Sequence, residues 1–195
     1  MQIVKAVIGS SALIAVLAAA PATAQSRTEQ LRGDYAFTDS TVCLNSPGGF
    51  SSTLVPMGTT SSITFSFTGV LTFNGDGTGS LTARGDFLNP GGASAGDSTA
   101  DFTYSVAADR TVTFDQGTTS TTFVAGASMG TVTVSNIPAL VGHLSSDRKS
   151  IVLGSFKPGV EDVSTGALHR ICHRSRTAIR IGRVPGSRGH EDDDR

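Results

Sequence analysis

Beyond residue 30, apolar and polar residues alternate with a period of two along most of this chain. In residues 33–43, Tyr35 and Phe37 share one face with polar neighbours between them, which predicts a half-buried strand. Residues 62–67 repeat the pattern with Phe65 and Phe67. Residues 69–73, which end in Phe73, and residues 80–86 flank Asn74-Gly75-Asp76-Gly77-Thr78-Gly79. Its Asn-Gly and Asp-Gly steps supply the positive φ of a hairpin turn. A second hairpin is predicted from residues 100–107 and Thr111–Asp115, with Phe102, Tyr104, Val106, Val112 and Phe114 on its apolar positions. Residues 121–124 and 131–135 are shorter candidates, Leu140–Leu144 and residues 151–156 a third hairpin, and residues 168–174 a last strand. Residues 45–60 (Gly, Ser and Pro) and 89–98 (Gly-rich) read as loops.

Strands recurring every ~8–12 residues, with turn chemistry between them, indicate an antiparallel barrel or sandwich. Cys43 closes the first predicted strand and Cys172 lies in the last. In an up-and-down barrel those two strands are neighbours, so a bridge between them would lock the seam. A sandwich can also bring them together. The expected fold is therefore an all-β, small antiparallel up-and-down β-barrel of about eight strands, with a β-sandwich as the alternative.

The first 24 residues read as a signal peptide. Lys5 supplies the positive start, residues 6–20 the apolar run, and Ala22-Thr23-Ala24 a cleavage site before Gln25. Ser10 and Ser11 interrupt a run already short for a membrane span. The leader implies an exported protein, periplasmic or secreted, in which a Cys43–Cys172 disulfide is the default and two buried thiols the alternative. A single barrel domain is expected over residues 25–176. Residues 177–195, Arg-rich and then acidic, read as a tail that is disordered beyond about residue 180.

Gly33-Asp34-Tyr35 stands where the calycin, or lipocalin-like, barrels carry Gly-x-Trp, and hairpins follow in order. Over about residues 31–176 the chain resembles that group, and it is similar to exported bacterial proteins with segments like Tyr35-Ala36-Phe37 and Arg170-Ile171-Cys172. The resemblance implies a barrel able to bind a small apolar ligand. It also implies an Arg on the last strand, Arg170 or Arg174, stacked over the first-strand aromatic.

If Tyr35, Phe37, Phe65, Phe67, Phe73, Phe102, Tyr104 and Phe114 face inward, they make either a filled core, the default in so narrow a barrel, or the lining of a cavity for one small ligand. Gly92-Ala93-Ser94-Ala95-Gly96 and Gly126-Ala127-Ser128-Met129-Gly130 match a hydrolase pattern, but no strand-to-helix elbow is predicted around either. The 74–79 turn echoes half a calcium loop, with Gly85 where the closing acid belongs. His169 and His173 stand too far apart along a strand for one metal. Arg32-Gly33-Asp34 begins one predicted strand and Arg84-Gly85-Asp86 lies near the end of another, so neither reads as a flexible loop tip.

Composition narrows the functions further. Charged residues make up 16% of the 195, against about 25% in an average globular protein, and the net charge is −1. That near-neutral balance argues against a dedicated nucleic-acid binder. Six Arg between residues 170 and 188, with no acid among them, would suit an anionic surface or a solvated tail. No catalytic group, metal or cofactor is assigned. The leading expectation is an exported barrel that binds a small apolar ligand or serves as a stable envelope component. A barrel isomerase or cyclase using Asp101 or His143 is the alternative, and an eight-stranded outer-membrane barrel the third.

Overall fold

The computed structural model describes residues 28, 31–164 and 168–182. The expected leader, and the chain from residue 183 onward, lie outside the described residues. Among the described residues, eleven strands form one sheet in which every pairing is antiparallel. They are β1 (Arg32–Ser46), β2 (Ser61–Asn74), β3 (Thr78–Asn89), β4 (Gly92–Val106), β5 (Thr111–Asp115), β6 (Thr119–Gly126), β7 (Gly130–Ser135), β8 (Leu140–Leu144), β9 (Ser150–Ser155), β10 (Val160–Val163) and β11 (Leu168–Ile181).

The ring β1-β2-β3-β4-β5-β8-β9-β11 closes on itself through β11 and β1, so the fold is an up-and-down barrel of eight strands. Its wall has an unusual division. β1 to β4 and β11 run 12–15 residues each, whereas the other six strands run 4–8. Residues 103–106 of β4 pair with β5, and residues 94–100 of the same strand pair with β6. Likewise β11 pairs with β9 through residues 175–179 and with β10 through residues 168–171. The five long strands are thus shared by two tiers of three short ones. β5, β8 and β9 complete the lower end, where β1 begins; β6, β7 and β10 complete the upper end.

The lower tier is filled. Tyr35, Phe73, Phe102, Tyr104 and Phe114 pack with Leu31, Val112 and Ile151 into one buried cluster. Ring centroids lie 5.2 Å apart for Tyr35–Phe73, 4.9 Å for Phe73–Tyr104 and 4.4 Å for Phe102–Phe114. Each fully buried aromatic contributes about 1.5–3 kcal/mol. Both phenols find acceptors. The Tyr35 hydroxyl donates to the Arg148 carbonyl at 2.7 Å, and that of Tyr104 to the Leu31 carbonyl at 2.6 Å. Arg180, opposite Tyr35 in register, stacks its guanidinium 5.8 Å from the Tyr35 ring centre. The last-strand partner of the first-strand aromatic is therefore Arg180, and Arg170 and Arg174 lie higher in the barrel.

Several strands exceed their sequence-based bounds. Residues 62–67 and 69–73 are one strand, β2, because Gly69 continues the extended chain against Ala83. Residues 92–98 belong to β4, although their Gly, Ala and Ser content reads as loop; the small side chains alternate in and out like larger ones. The expected domain boundary at 176 falls inside β11, where Ala178 is fully buried. Cys43 and Cys172 form a disulfide between directly paired residues of β1 and β11, across a sequence separation of 129.

Removing that cross-link with Cys43→Ala/Cys172→Ala should lower unfolding stability by up to about 4–5 kcal/mol, the entropy of the loop it closes, as measured by urea denaturation. Burial raises the pKa of both Tyr35 and Tyr104 above the ordinary tyrosine value. Their contribution is therefore fully present below pH ~10 and is lost as pH rises through the folded-state values. Melting temperature should fall above pH ~10, and Tyr35→Phe should flatten that fall.

Candidate functional site

Strand periodicity turns alternate residues of β1 and β11 inward, and closure of the ring sets them side by side. Asp39 stands opposite Arg176, Thr41 opposite Arg174, Cys43 opposite Cys172 and Asn45 opposite Arg170. This row is buried and strongly polar for a barrel interior. Arg176 donates from Nε to Asp39 Oδ2 at 3.0 Å and from Nη2 to Gln116 Oε1 at 3.1 Å. Its guanidinium lies between the rings of Phe37 and Phe114, 4.9 and 5.1 Å from their centres. Thr41 donates to the other Asp39 oxygen at 2.6 Å.

A second cluster centres on Glu161 of β10, which is fully buried. Glu161 Oε2 accepts from Arg170 Nε at 2.9 Å and from Arg174 Nη2 at 2.7 Å, and Arg174 Nη1 meets Oε1. Burial pulls Arg170 and Arg176 below the ordinary arginine range, while the facing carboxylates push back upward. Two ion-pair groups thus stand inside the upper half of the barrel. Ion pairing and hydrogen bonding keep charges tolerable there.

Above the filled lower core lies a cavity of about 380 Å³. Phe65, Phe67, Phe87 and Phe123 wall one side; Val132, Val134 and Leu168 lie on β7 and β11. Phe37, Leu81 and Arg176 also contact it, and Asn89, Ser128 and Met129 come from the turn end of the upper tier. The volume falls within the ~300–1,000 Å³ of small-molecule sites.

Side-chain size explains why the space is here. The inward residues of β4 are Phe102, Tyr104 and Val106 in the lower half but Ser94, Gly96 and Ser98 in the upper. Thr119 and Thr121 continue this small lining on β6, where Thr121 shares a 2.7 Å hydrogen bond with Ser98. On β3, Gly85 lies directly under the Phe67 ring, so that a Cβ there would collide with it. The Arg84-Gly85-Asp86 tripeptide is thus a strand interior with a packing role, and Arg84 pairs outward with Asp97 at 2.7 Å.

Of the eight aromatics expected to line a cavity, Phe37, Phe65 and Phe67 do so. Tyr35, Phe73, Phe102, Tyr104 and Phe114 belong instead to the filled lower core. Among the described residues, the charged groups inside the upper half of the barrel are Asp39, Glu161 and the three arginines, whereas Asp101 and His143 are exposed. The Arg-rich segment from residue 170 begins as an interior row. Its signal was present in the sequence: Arg170, Arg174 and Arg176 share the parity of Cys172. Any interior disulfide therefore carries them inward too.

Other motifs resolve into local structure. Asp76 turns its carboxylate onto the Thr78 amide and hydroxyl, at 2.8 and 2.7 Å, and so completes the hairpin turn. His169 pairs with Asp162 at 2.6 Å on the outer face. Ser128 lines the cavity, and its amide donates to Ser94 Oγ at 2.8 Å. Among the described residues, no group of three or more His, Cys, Asp or Glu is placed to hold a metal ion. No protein-family model matches the chain, and no curated protein matches it.

The Asp39–Arg176 pair gives a direct test of the interior electrostatics. Arg176→Met alone leaves Asp39 buried without its cation and should cost about 3–5 kcal/mol in urea denaturation. Asp39→Leu/Arg176→Met removes both charges and should cost less than either single change.

Proposed function

We propose that this chain is an exported, lipocalin-like barrel that holds one small, largely apolar molecule in its upper half. The observation that carries this reading is the cavity of about 380 Å³ walled by Phe65, Phe67, Phe87 and Phe123. A barrel of eight strands is wide enough either to be filled by side chains or to hold one small ligand. This one divides the two roles between its tiers. The carboxylates nearest the cavity already accept hydrogen bonds from arginines, which favours binding over acid–base catalysis as the task of the site.

Export is supported by the pattern of residues 1–24 and by the Cys43–Cys172 disulfide, since such bonds persist mainly in oxidising compartments. No helix among the described residues is long and apolar enough to cross a membrane. The outward rows of β1 to β4 carry Asp34, Thr38, Ser40, Thr64, Ser66, Arg84, Asp97 and Asp101. That polar surface suits water and opposes the apolar outer band of a membrane barrel.

The test is binding of the neutral fluorescent probe 1-aminoanthracene. It should bind with a blue-shifted, enhanced emission that saturates at one molecule per chain. Val132→Phe, which adds a ring to the cavity wall, should weaken binding by at least about tenfold while the urea midpoint stays within error. A probe that binds both proteins equally, or neither, contradicts the reading.

A further inference from the structure

We infer that the molecule held in the cavity is neutral and carries a carbonyl-type oxygen, which accepts a hydrogen bond from Arg176 Nη1 at the cavity floor. This rests on the ligand-binding reading above and adds the chemical class, a ketone, aldehyde or ester on an apolar body.

The first ground is a donor without an acceptor. Arg176 lines the cavity, and its side chain is 4% exposed. Asp39 engages its Nε and Gln116 its Nη2, whereas Nη1 has no hydrogen-bond partner among the described residues. Buried guanidinium nitrogens are normally hydrogen-bonded, and leaving one bare is costly. The Asp39 carboxylate already answers the charge of Arg176, so the group lacks an acceptor and not a counter-charge. A carbonyl oxygen supplies that acceptor without setting a second anion beside Asp39.

The second ground is that this donor is fixed before any ligand arrives. The guanidinium lies between the Phe37 and Phe114 rings, and its bonds to Asp39 and Gln116 set its orientation there. Gln116 is held in turn by donating from Nε2 to Thr119 Oγ1. A preorganised donor loses little freedom on binding. Phe37 lines the cavity and Phe114 belongs to the filled lower core, so Arg176 stands at the boundary of the two tiers. The ligand oxygen is therefore its innermost atom. The apolar remainder lies toward the turn end, against Phe65, Phe67, Phe87 and Phe123. Higher on β1, Asn45 Oδ1 is a buried acceptor with no partner among the described residues, and its partial negative charge opposes an acid at that end as well.

2-Acetylnaphthalene, 2-isopropylnaphthalene and 2-naphthoate share one heavy-atom skeleton and differ as ketone, hydrocarbon and anion. Their displacement of 1-aminoanthracene from the full chain at neutral pH tests the inference. The ketone should displace the probe at a concentration at least about tenfold below the carboxylate. In Asp39→Leu/Arg176→Met, which removes the donor together with both charges, the ratio of ketone to hydrocarbon affinity should fall at least about tenfold, the value of a hydrogen bond to a charged group. Arg176→Lys keeps a cation beside Asp39 but has no second nitrogen. It should lower the same ratio, which keeps the test open should the double variant fold poorly. With the ketone isotope-labelled at its carbonyl carbon, the infrared carbonyl stretch should lie lower on the unaltered protein than on either variant. A change of cavity shape alone would not move it. A ratio and a stretch that are the same in the folded variants and the unaltered protein overturn the seat. Tighter displacement by 2-naphthoate than by the ketone overturns the neutral head. A bound probe that the ketone fails to displace overturns the inference and leaves the cavity reading standing, whereas failure of the probe to bind at all overturns the cavity reading itself.

Discussion

Everything inside this barrel depends on the pairing of its first and last long strands. β1 and β11 run antiparallel over thirteen residue pairs, from Asp34–Ile181 to Ser46–His169. That seam closes the ring and so removes both edges of the sheet. It also sets the interior chemistry, because side chains of a strand alternate and a one-residue slip would turn each inward group outward. With the register as it stands, Asp39 meets Arg176 and Cys43 meets Cys172. A shift would expose Ala178 and strand the carboxylates. The disulfide and the Asp39–Arg176 ion pair therefore hold one alignment by two independent means.

On the proposed reading, the two tiers separate stability from binding. Below, large residues on β1 to β5 interdigitate around Phe73, with tyrosine hydroxyls capped by backbone carbonyls. Above, the same strands β3 and β4 present Ala83, Gly85, Ser94, Gly96 and Ser98, and the interior opens. The short strands make this division possible. Gly117 and Asn136, both at positive φ, lie in the connections where the chain passes between tiers. Their left-handed conformation is one that Gly and Asn reach most readily. A filled half can stay rigid while the other half keeps room for a guest, and neither compromises the packing of the other.

Much of this architecture was legible from period-two alternation and turn chemistry. The hairpins about Asn74–Gly79 and Ala108–Arg110 lie where their Gly, Asn and Asp residues indicated, and the antiparallel ring follows from their sequence. The disulfide followed from the placement of two cysteines at opposite ends of the strand series. What escaped was governed by tertiary context. β4 begins in a Gly/Ala/Ser segment whose residues favour loops in isolation and strands when both neighbours are already in place. β10 is four residues long and is held between β7 and β11, so its own sequence carries little strand signal. Aromatic residues signal burial, but which of them meet a void depends on what faces them across the barrel. Phe65 faces space, whereas Phe102 faces Phe73 and Phe114. The interior arginines run against the rule that Arg is rarely buried without partners, and those partners are hard to read: Asp39 stands 137 residues from Arg176, and Glu161, though only 9 residues before Arg170, sits on a strand with little signal of its own.

The central claim is that the upper tier is hollow and occupied by a guest in its native setting. Native mass spectrometry of the chain, expressed with residues 1–24 in place and recovered from a periplasm, tests this most directly. The account predicts a discrete mass above that of the polypeptide, one molecule per chain, that disappears on denaturation. The same bare mass under native and denaturing conditions would contradict it.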